Sequence, residues 1–238
     1  PEITLHFDTG INRLGIDEQE TIHVIEYCKK FQIQVFCIMS HLASADESHN
    51  KFNNEQNLKF KKIIKNFPNA IHSIANSHAI INLNKIEYDL IRTGGCVFGT
   101  IETKPFKNVV ELYAKVLQIK FIKNSEQSFG YNQTFQSKKE KKIAIIAFGY
   151  ADGYPRILSN ISYAFFKKKL PIIGSISMDY MTIDISGLDQ DEIKVGDFVE
   201  LIGNNILLSF IAKKSKTIPY EILNNIGKRA KKIYIDNV

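Results

Sequence analysis

The pattern of apolar residues changes near residue 105, and this change constrains the fold more than any other feature of the chain. Before it, short apolar runs typical of strands alternate with segments in which apolar residues recur at helical spacing, as at residues 18–30 and 52–67. After it, apolar runs follow one another closely, with glycine and proline between them, and two short helices are predicted at residues 206–212 and 220–226. The predicted strands lie at residues 3–7, 33–39, 70–75, 96–98, 109–122, 143–148, 163–166, 170–177, 181–185, 198–202 and 233–235.

The two halves of this pattern predict two domains. Strand–helix repeats of this size indicate parallel strands joined by right-handed crossovers. Four such units form only half of a closed eight-stranded barrel, so we expect another polypeptide segment to cover the open edges of the sheet. Closely spaced strands indicate an all-β domain. We therefore predict an α/β plus all-β fold, with half of a (β/α)8 barrel over residues 1–105 and a β-strand domain over residues 106–238.

The composition predicts a cytoplasmic protein without a metal site. Hydrophobic residues make up 44% of the 238 residues, which is enough for a sizeable core. No apolar run approaches the roughly 20 residues that span a bilayer, and no signal segment opens the chain, so we expect no membrane partner. Cys28, Cys37 and Cys96 are odd in number and form no C-x-x-C pair, which argues against a disulfide framework or a zinc site.

The net charge of +6 raises the possibility of a nucleic-acid partner. The lysines, however, fall in short clusters that alternate with glutamate, isoleucine or phenylalanine, as on solvated faces of helices and strands. The chain has no aromatic–basic interleaving of an RNA-binding type and no known DNA-binding motif. We therefore expect no nucleic-acid partner.

Polar or glycine-rich loops accompany each predicted strand of the first domain. The loop 8–15 carries Arg13, the loop 40–46 carries His41, and the pair Asn76-Ser77 follows the third strand. The segment 90–95, with an arginine at 92 and glycines at 94 and 95, precedes the fourth strand. Each alone has an ordinary explanation, namely a surface ion pair, a packed histidine, a helix cap at Ser77 or a simple turn. Together they predict a site on one rim of the barrel, with glycines and a helix start suited to a phosphate.

The second domain offers phenol and carboxyl groups at the ends of predicted elements. Tyr150 lies in a Gly-, Asp- and Pro-rich turn after a buried strand, and Tyr131 follows Gly130. The pairs Met178-Asp179 and Tyr220-Glu221 also lie at element ends. A tyrosine phenol has a pKa of about 10 in water, so it serves as a base only where nearby cations favour its phenolate. Arg13, Arg92 and His41 are candidate cations for that purpose.

These segments together resemble the motifs of the alanine racemases, a family that depends on pyridoxal phosphate (PLP). The most informative is Ala-Phe-Gly-Tyr-Ala-Asp-Gly-Tyr-Pro-Arg at residues 147–156. Seven others match in the family's order and spacing, at residues 8–15, 41–46, 76–77, 92–94, 130–131, 178–179 and 220–221. The resemblance implies the second half of a PLP-binding barrel followed by a C-terminal β domain. It also implies a homodimeric bacterial enzyme that interconverts L-alanine and D-alanine, the latter for peptidoglycan.

The resemblance further implies a role for each matching residue. Tyr131 would be a base on one face of the substrate Cα, in an active site shared with the neighbouring subunit, and His41 would belong to its hydrogen-bond network. Arg92 would face the PLP pyridine nitrogen and keep it unprotonated. Arg13 would contact the cofactor phenolate oxygen and the substrate carboxylate. The remaining implied contacts are Asn76, Ser77, Gly94, Gly95 and Tyr220 for the cofactor, and Met178, Asp179 and Tyr150 for the substrate.

The chain departs from the family's pattern at two positions. The family's PLP lysine lies in a motif upstream of the segment that matches residues 8–15, and no lysine here stands at a matching position. Two-base proton transfer on a PLP aldimine needs that lysine, so we expect the 238 residues alone to be inactive. Many members also carry a lysine modified by carbon dioxide two residues before Asp-Thr-Gly, where this chain has His6. Another acceptor, such as an anion, would then have to orient Arg13.

Two alternatives remain open. A racemase of the same fold could act on serine or another amino acid, although Met178 and Tyr220 favour a small substrate such as alanine. A non-catalytic fragment or split subunit would instead bind a partner chain and perform no chemistry alone.

Overall fold

A computed structural model describes residues 2–83, 88–123 and 126–235 of the chain. The chain divides into two compact units, residues 1–97 (unit 1) and residues 98–238 (unit 2). The predicted domain boundary at residue 105 lies inside unit 2. None of the helices in the described part is both long enough and apolar enough to cross a membrane.

Unit 1 is built on a parallel sheet in the order β1-β2-β3, with helices between the strands. Its elements are β1 (Glu2–His6), α1 (Thr21–Lys30), β2 (Gln34–Met39), α2 (Lys51–Ile64), β3 (Ile71–Ser73) and α3 (Ser77–Asn82), with a 3-10 turn at Glu18–Glu20 before α1. His6 pairs with Met39, and Met39 pairs with Ser73, so the three strands end at one edge of the sheet. The predicted parallel strand–helix order is confirmed.

Helix α2 packs on this sheet through a face that is only partly apolar. Phe60 and Ile63 are buried in the core of unit 1, as their helical spacing predicts. Asn53, Gln56 and Asn57 are buried on the same helix. Because buried polar side chains need partners, these three are expected to form hydrogen bonds inside the protein. Asn53 and Gln56 bond to the loops beside the candidate site, and Asn57 bonds to Tyr88.

The predicted strand at residues 96–98 is wrong. These residues form a turn, and Val97 and Phe98 are 58% and 60% exposed. The backbone that continues the sheet beyond β3 is at Arg92, which forms an isolated parallel bridge with Asn76. The apolar triplet predicted a strand. The backbone hydrogen bonds that extend the sheet are instead made by a polar segment four residues earlier.

Unit 2 is an antiparallel sheet in the order β10-β7-β4-β11-β8-β9, beside a hairpin of β5 and β6. Its strands are β4 (Leu112–Ile122), β5 (Gln127–Phe129), β6 (Phe135–Ser137), β7 (Lys141–Ile146), β8 (Tyr163–Phe166), β9 (Lys168–Pro171), β10 (Met181–Asp184) and β11 (Phe198–Ile202). Ile172, next to β9, bridges Ile183 of β10, so the two outermost strands of the sheet meet. A sheet closed in this way leaves little unpaired backbone at its edges. The predicted C-terminal β domain is confirmed.

Alternation along the strands of unit 2 separates its core from its surface. On β4, Ala114 and Val116 are fully buried, whereas Phe121 is 56% exposed. Ile146, Ile183 and other inward residues of the neighbouring strands complete the core.

Helices and turns complete unit 2. The helices are α4 (Leu208–Lys214) and α5 (Pro219–Asn225), with 3-10 turns at Tyr131–Gln133, Tyr150–Asp152 and Arg156–Leu158. The predicted strand at residues 233–235 is wrong, because the described residues 226–235 form neither helix nor strand. Ile233, Tyr234 and Ile235 are between 71% and 88% exposed, so this apolar run has no sheet to join.

Candidate active site

Arg92 and His41 meet at the edge where the strands of unit 1 end. The Arg92 guanidinium donates through Nη1 to the carbonyl O of Ser73 at 3.0 Å and to its Oγ at 2.5 Å. Its Nη2 donates to the carbonyl O of Ser40 at 2.5 Å and lies 3.4 Å from Nδ1 of His41. The two residues are therefore held together by the ends of β2 and β3.

The imidazole of His41 is held neutral by its surroundings. Burial, and then the charges of Arg92, Arg13 and His6, lower the pKa of His41. Nδ1 can accept a hydrogen bond from the guanidinium only when it carries no proton, which agrees with that direction. Burial also lowers the pKa of Arg92, but a guanidinium stays charged in proteins. The pair is thus a fixed cation beside a neutral imidazole.

The loop that carries Arg13 is shaped by Asp8. Oδ1 of Asp8 accepts from the N–H of Gly10 at 2.7 Å, and Oδ2 accepts from the backbone N–H of Arg13 at 2.9 Å. Burial alone would raise the pKa of Asp8, but these and neighbouring N–H groups outweigh it and lower the pKa. Arg13 itself is exposed, and its guanidinium donates no hydrogen bond to any residue that the structure describes. The loop is therefore fixed while the guanidinium is available to a ligand.

His6 lies under this loop with one ring nitrogen unused. Its Nε2 is buried and has no hydrogen-bond partner among the described residues. Burial and the charges of Arg92 and Arg13 lower the pKa of His6, against a smaller opposing effect of Asp8. A neutral imidazole cannot replace an anionic side chain as an acceptor for Arg13.

Ser77 and Gly94 are brought together in one turn by a hydrogen bond. Oγ of Ser77 accepts from the N–H of Gly94 at 3.0 Å and from the N–H of Cys96 at 3.4 Å, so its own proton stays free to donate. A Cβ on Gly94 would meet no atom within 4 Å, which leaves open space above the turn. Gly95, the other predicted glycine, is buried beside it.

The predicted helix cap at Ser77 is wrong. Asn76 is the N-cap of α3, and its Oδ1 accepts from the N–H of Ala79 at 3.0 Å. Ser77 is released from capping by this arrangement, and its hydroxyl turns to Gly94. Asn76 contributes to the candidate site through its backbone bridge with Arg92 rather than through its amide.

In unit 2, backbone hydrogen bonds join the segment of Tyr150 to the segment of Met178-Asp179. The N–H of Tyr150 donates to the carbonyl O of Ser177, and the N–H of Ala151 donates to the carbonyl O of Met178, both at 3.0 Å. Tyr150 and Met178 are 41% and 53% exposed, so both side chains are available to a ligand. The structure thus brings together the predicted substrate-binding residues Tyr150, Met178 and Asp179.

Arg229, which the sequence did not identify as a candidate site residue, links the same two segments. Its guanidinium forms ion pairs with Asp179 and, at 3.2 Å from Nε, with Asp152. Asp152 is buried, and its other oxygen accepts from the N–H of Gly149 at 2.9 Å. The two aspartates indicate that a cationic partner is needed, but the sequence does not show where along the chain that partner lies.

Tyr131 projects from a tightly supported turn. Gly130 has φ +74°, and a Cβ there would lie 2.3 Å from the backbone N of Ser175. Oγ of Ser175 donates to the carbonyl O of Tyr131 at 3.0 Å. The phenol is 67% exposed, and its hydroxyl bonds to no residue in the described ranges. A rigid backbone therefore presents a free phenol.

Tyr220 stands apart from the other predicted residues of unit 2. It lies in the first turn of α5 and is 37% exposed. A cavity of about 400 Å³ separates α5 from the turn at residues 150–156, and of the predicted residues only Tyr150 is among its described lining residues. The cavity places α5 beside the turn of Tyr150, but Tyr220 itself is not among the described residues that line it.

Comparison with known families accounts for both units. A family model described as "Alanine racemase, N-terminal domain" matches residues 1–102, and another, "Alanine racemase, C-terminal domain", matches residues 109–234, more than half of the chain. The chain belongs to the alanine racemase family. The segments that carry Arg13, His41, Arg92 and Tyr131 all lie inside these matches.

Curated relatives and solved structures of the family agree. The alanine racemase of Rickettsia bellii is 39% identical over 97% of this chain, and that of Acidiphilium cryptum is 36% identical over 98%. The crystal structure of alanine racemase from Bartonella henselae, with covalently bound pyridoxal phosphate, has a TM-score of 0.89 at 38% identity, and covers 98% of this chain and 66% of that one. Alanine racemase from Bacillus anthracis, with bound L-Ala-P, has a TM-score of 0.85 at 28% identity, over 99% of this chain and 65% of that one. The chain spans 58% of the Rickettsia bellii relative and 66% of the Acidiphilium cryptum relative.

Proposed function

We propose that this chain contributes the substrate- and cofactor-binding groups of a cytoplasmic alanine racemase that interconverts L-alanine and D-alanine and supplies D-alanine for peptidoglycan. The observation that carries the proposal is the Arg92–His41 pair beside the Ser77–Gly94 turn, at the edge where parallel strands end. A fixed cation, a neutral imidazole and an open glycine-containing turn at one rim suit a cofactor with a phosphate and an aromatic nitrogen. Membership of the alanine racemase family supports PLP as that cofactor.

The residues of unit 1 fit PLP. The phosphate would be held by the Ser77 hydroxyl and the backbone of Gly94 and Gly95, where the turn leaves room for it. Arg92 would face the pyridine nitrogen and, as a permanent cation, would disfavour its protonation. Tyr220 of unit 2 would complete the phosphate contacts. When bound, PLP would supply an electron-withdrawing ring that makes the Cα–H bond of an amino acid acidic.

The side chains of the chain would then bind the substrate and move its α-proton. Arg13, whose guanidinium is free, would receive the substrate carboxylate. Tyr131 would hold and return the α-proton at its phenol oxygen, on one face of Cα, with His41 in its hydrogen-bond network. Tyr150, Met178 and Asp179 would line the substrate pocket. In a homodimer, Tyr131, Met178 and Asp179 would serve the site of the partner subunit.

The second base would be the PLP lysine of the family. No lysine within the 238 residues matches it, so we propose that these residues alone racemise nothing. Only a protein or assembly that also carries that lysine would complete the reaction.

Substrate turnover tests the proposal directly. The protein as its native cell produces it, supplied with PLP, should convert L-alanine to D-alanine faster than it racemises serine or lysine, as measured by chiral chromatography. The 238-residue chain alone is the matched control and should form no D-alanine. Faster racemisation of serine or lysine would replace the alanine assignment, and D-alanine formation by the 238 residues alone would overturn the requirement for a further lysine.

A further inference from the structure

Gln56 of α2 joins the loops that follow β1 and β2. Its side chain is fully buried. Nε2 donates to Oγ1 of Thr9 at 3.1 Å and to the carbonyl O of His41 at 2.9 Å, and Oε1 accepts from the N–H of Ala43 at 2.9 Å. Both N–H groups and the oxygen of the amide therefore have partners inside the protein.

The partners of Gln56 also fix the orientation of its amide. The N–H of Ala43 can only donate, and the carbonyl of His41 can only accept. A reversed amide would place donor against donor and acceptor against acceptor, which costs free energy in a buried site. The side chain is therefore matched to these loops by chemistry and does more than fill space.

A continuous set of hydrogen bonds runs from Gln56 to the guanidinium of Arg92. Thr9, which receives the Gln56 donor, lies 2.7 Å from Ser40, hydroxyl to hydroxyl. The carbonyl O of Ser40 accepts from Nη2 of Arg92, and the same Nη2 lies 3.4 Å from His41. Gln56 thus reaches the Arg92–His41 pair by two routes, through the backbone of His41 and through Thr9 and Ser40.

The loop after β2 depends on such contacts because it has left the sheet. Strand β2 ends at Met39, and residues 41–46 form neither helix nor strand. Asn53, one turn before Gln56, donates to the carbonyl O of Ser44 at 2.9 Å and to that of Glu47 at 3.0 Å. Side chains of α2 therefore bond to much of the loop backbone in place of a strand ladder, and Asn82 of α3 bonds to the carbonyls of Ala45 and Asp46.

We propose that Gln56 is a positioning residue that fixes the backbone at His41 and thereby sets the imidazole against the Arg92 guanidinium. The position of the imidazole follows from the hydrogen bonds alone, and only its effect on racemisation rests on the proposed function. Gln56 touches neither substrate nor cofactor in this role. It acts through His41, Thr9 and Ser40.

Titration of His41 by NMR tests this inference without any assay of activity. In the natively produced protein, the His41 resonance is assigned by its disappearance in His41→Asn, and its pKa is measured in three variants. Gln56→Met removes all three hydrogen bonds of Gln56 at similar volume. Thr9→Val removes the hydrogen bonds of Thr9 to Gln56 and to Ser40 with little change of shape. Asn57→Leu is the control, because Asn57 is the next residue of α2, is also buried and bonds to Tyr88 at 2.5 Å, away from the site.

Release of the loop should move His41 away from the buried position that, with Arg92, Arg13 and His6, keeps its pKa low. We expect Gln56→Met to raise that pKa by about half a unit or more. Thr9→Val should raise it less, and Asn57→Leu should leave it unchanged. If both Gln56→Met and Thr9→Val leave the pKa at its wild-type value, or if Asn57→Leu raises it equally, the inference is overturned. If Gln56→Met does not fold, Thr9→Val against Asn57→Leu decides.

Kinetics separate this inference from the proposed function. If the protein is the proposed racemase, Gln56→Met should lower kcat by about 10- to 100-fold with little change in KM, because a small misplacement of a site residue affects the reacting geometry. If the protein racemises nothing, the proposed function fails while the titration still decides the role of Gln56. A raised His41 pKa with unchanged kcat would contradict the catalytic part of the inference.

Discussion

Arg92 is the residue on which the candidate site depends most. Its guanidinium is fixed by the carbonyl oxygens of Ser73 and Ser40 and by a serine hydroxyl. Among the described residues, no carboxylate pairs with it. Neutral acceptors orient a cation without cancelling its charge, so the site keeps a positive potential for a ligand.

Replacement of Arg92 by lysine should show how much the planar guanidinium contributes to stability. An ammonium has three donors on one nitrogen but lacks the two-nitrogen fork that reaches Ser73 and Ser40 together, so we expect one buried acceptor to lose its donor. We expect Arg92→Lys to lower the free energy of unfolding by about 1–3 kcal/mol, measured by urea denaturation. The control is Arg156→Lys, since Arg156 is exposed. Equal stability of the two variants would show that the fork is dispensable.

Sequence motifs identified the displayed residues of the site but not those that support them. Tyr131, His41 and Arg92 were found because they belong to loops with a recognisable order and spacing. Gln56 and Arg229 were not, because polar residues in a helix or a tail usually face solvent. The helix did contain a signal, since Asn53, Gln56 and Asn57 share the helical spacing that leads to the buried Phe60 and Ile63.

At the scale of elements, two loops of unit 2 approach each other too closely for any side chain at Gly149. A Cβ there would lie 2.2 Å from the carbonyl O of Met178 and 2.4 Å from that of Ser177. Gly149→Ala should therefore separate the loops of Tyr150 and Met178 and lower the free energy of unfolding by about 1–3 kcal/mol. Gly187→Ala is the matched control, because a Cβ at Gly187 meets nothing within 4 Å. Thermal unfolding of both variants measures the difference, and equal melting temperatures would refute the close approach.

The pairing of β7 with β10 should depend on acid pH through Asp184. Burial opposes ionisation of this carboxyl, but hydrogen bonds from Lys141 and Ser186 outweigh it and lower its pKa below the ordinary value of 3.8. A lowered pKa means that the stabilisation is complete above that value and is lost as pH falls through the folded-state pKa.

The comparison of wild type with Asp184→Asn tests this direction. The wild type should be more stable by a constant amount between about pH 5 and 8, and the difference should shrink below about pH 4. Glu55→Gln, an exposed carboxylate on α2, serves as the control and should show no such trend. Chemical denaturation at a series of pH values measures the difference, and a gap that persists to low pH would contradict the account.

Elements were predicted well where apolar periodicity is long and poorly where it is short. The strands β4, β7, β8, β10 and β11 and the helices α1 and α2 follow runs that the core requires, whereas the three-residue strands β5 and β6 were not predicted. The triplets at residues 96–98 and 233–235 have the same composition as short strands, but no strand in the described part of the chain pairs with them. Whether a neighbouring strand is available to pair with such a triplet depends on the whole fold, and three residues cannot determine it. The bridge of Ile172 to Ile183, which closes the sheet of unit 2, could not be predicted from the sequence for the same reason.

At the scale of the whole molecule, the two units differ in how their sheets end. The sheet of unit 2 meets itself, whereas β1 of unit 1 pairs with β2 as its one neighbour among the described strands. A parallel edge of this kind is normally covered by further polypeptide. The chain also spans about two thirds or less of its curated relatives.

Exchange of the α-proton in D₂O, followed by proton NMR of alanine, tests the proposed racemase reaction most directly. The natively produced protein with PLP should exchange the α-proton of both L- and D-alanine. Tyr131→Phe should slow racemisation in both directions by at least about 100-fold, the scale of a lost general base, with PLP still bound. It should slow exchange by the same scale only for the enantiomer whose α-proton faces the phenol, because the lysine on the other face still exchanges the α-proton of its mirror image. Tyr113→Phe, which removes an exposed hydroxyl that bonds to Glu111 on the outer face of β4, should change neither. Near-normal racemisation by Tyr131→Phe, or near-normal exchange of both enantiomers, would contradict the central claim that this phenol is a base.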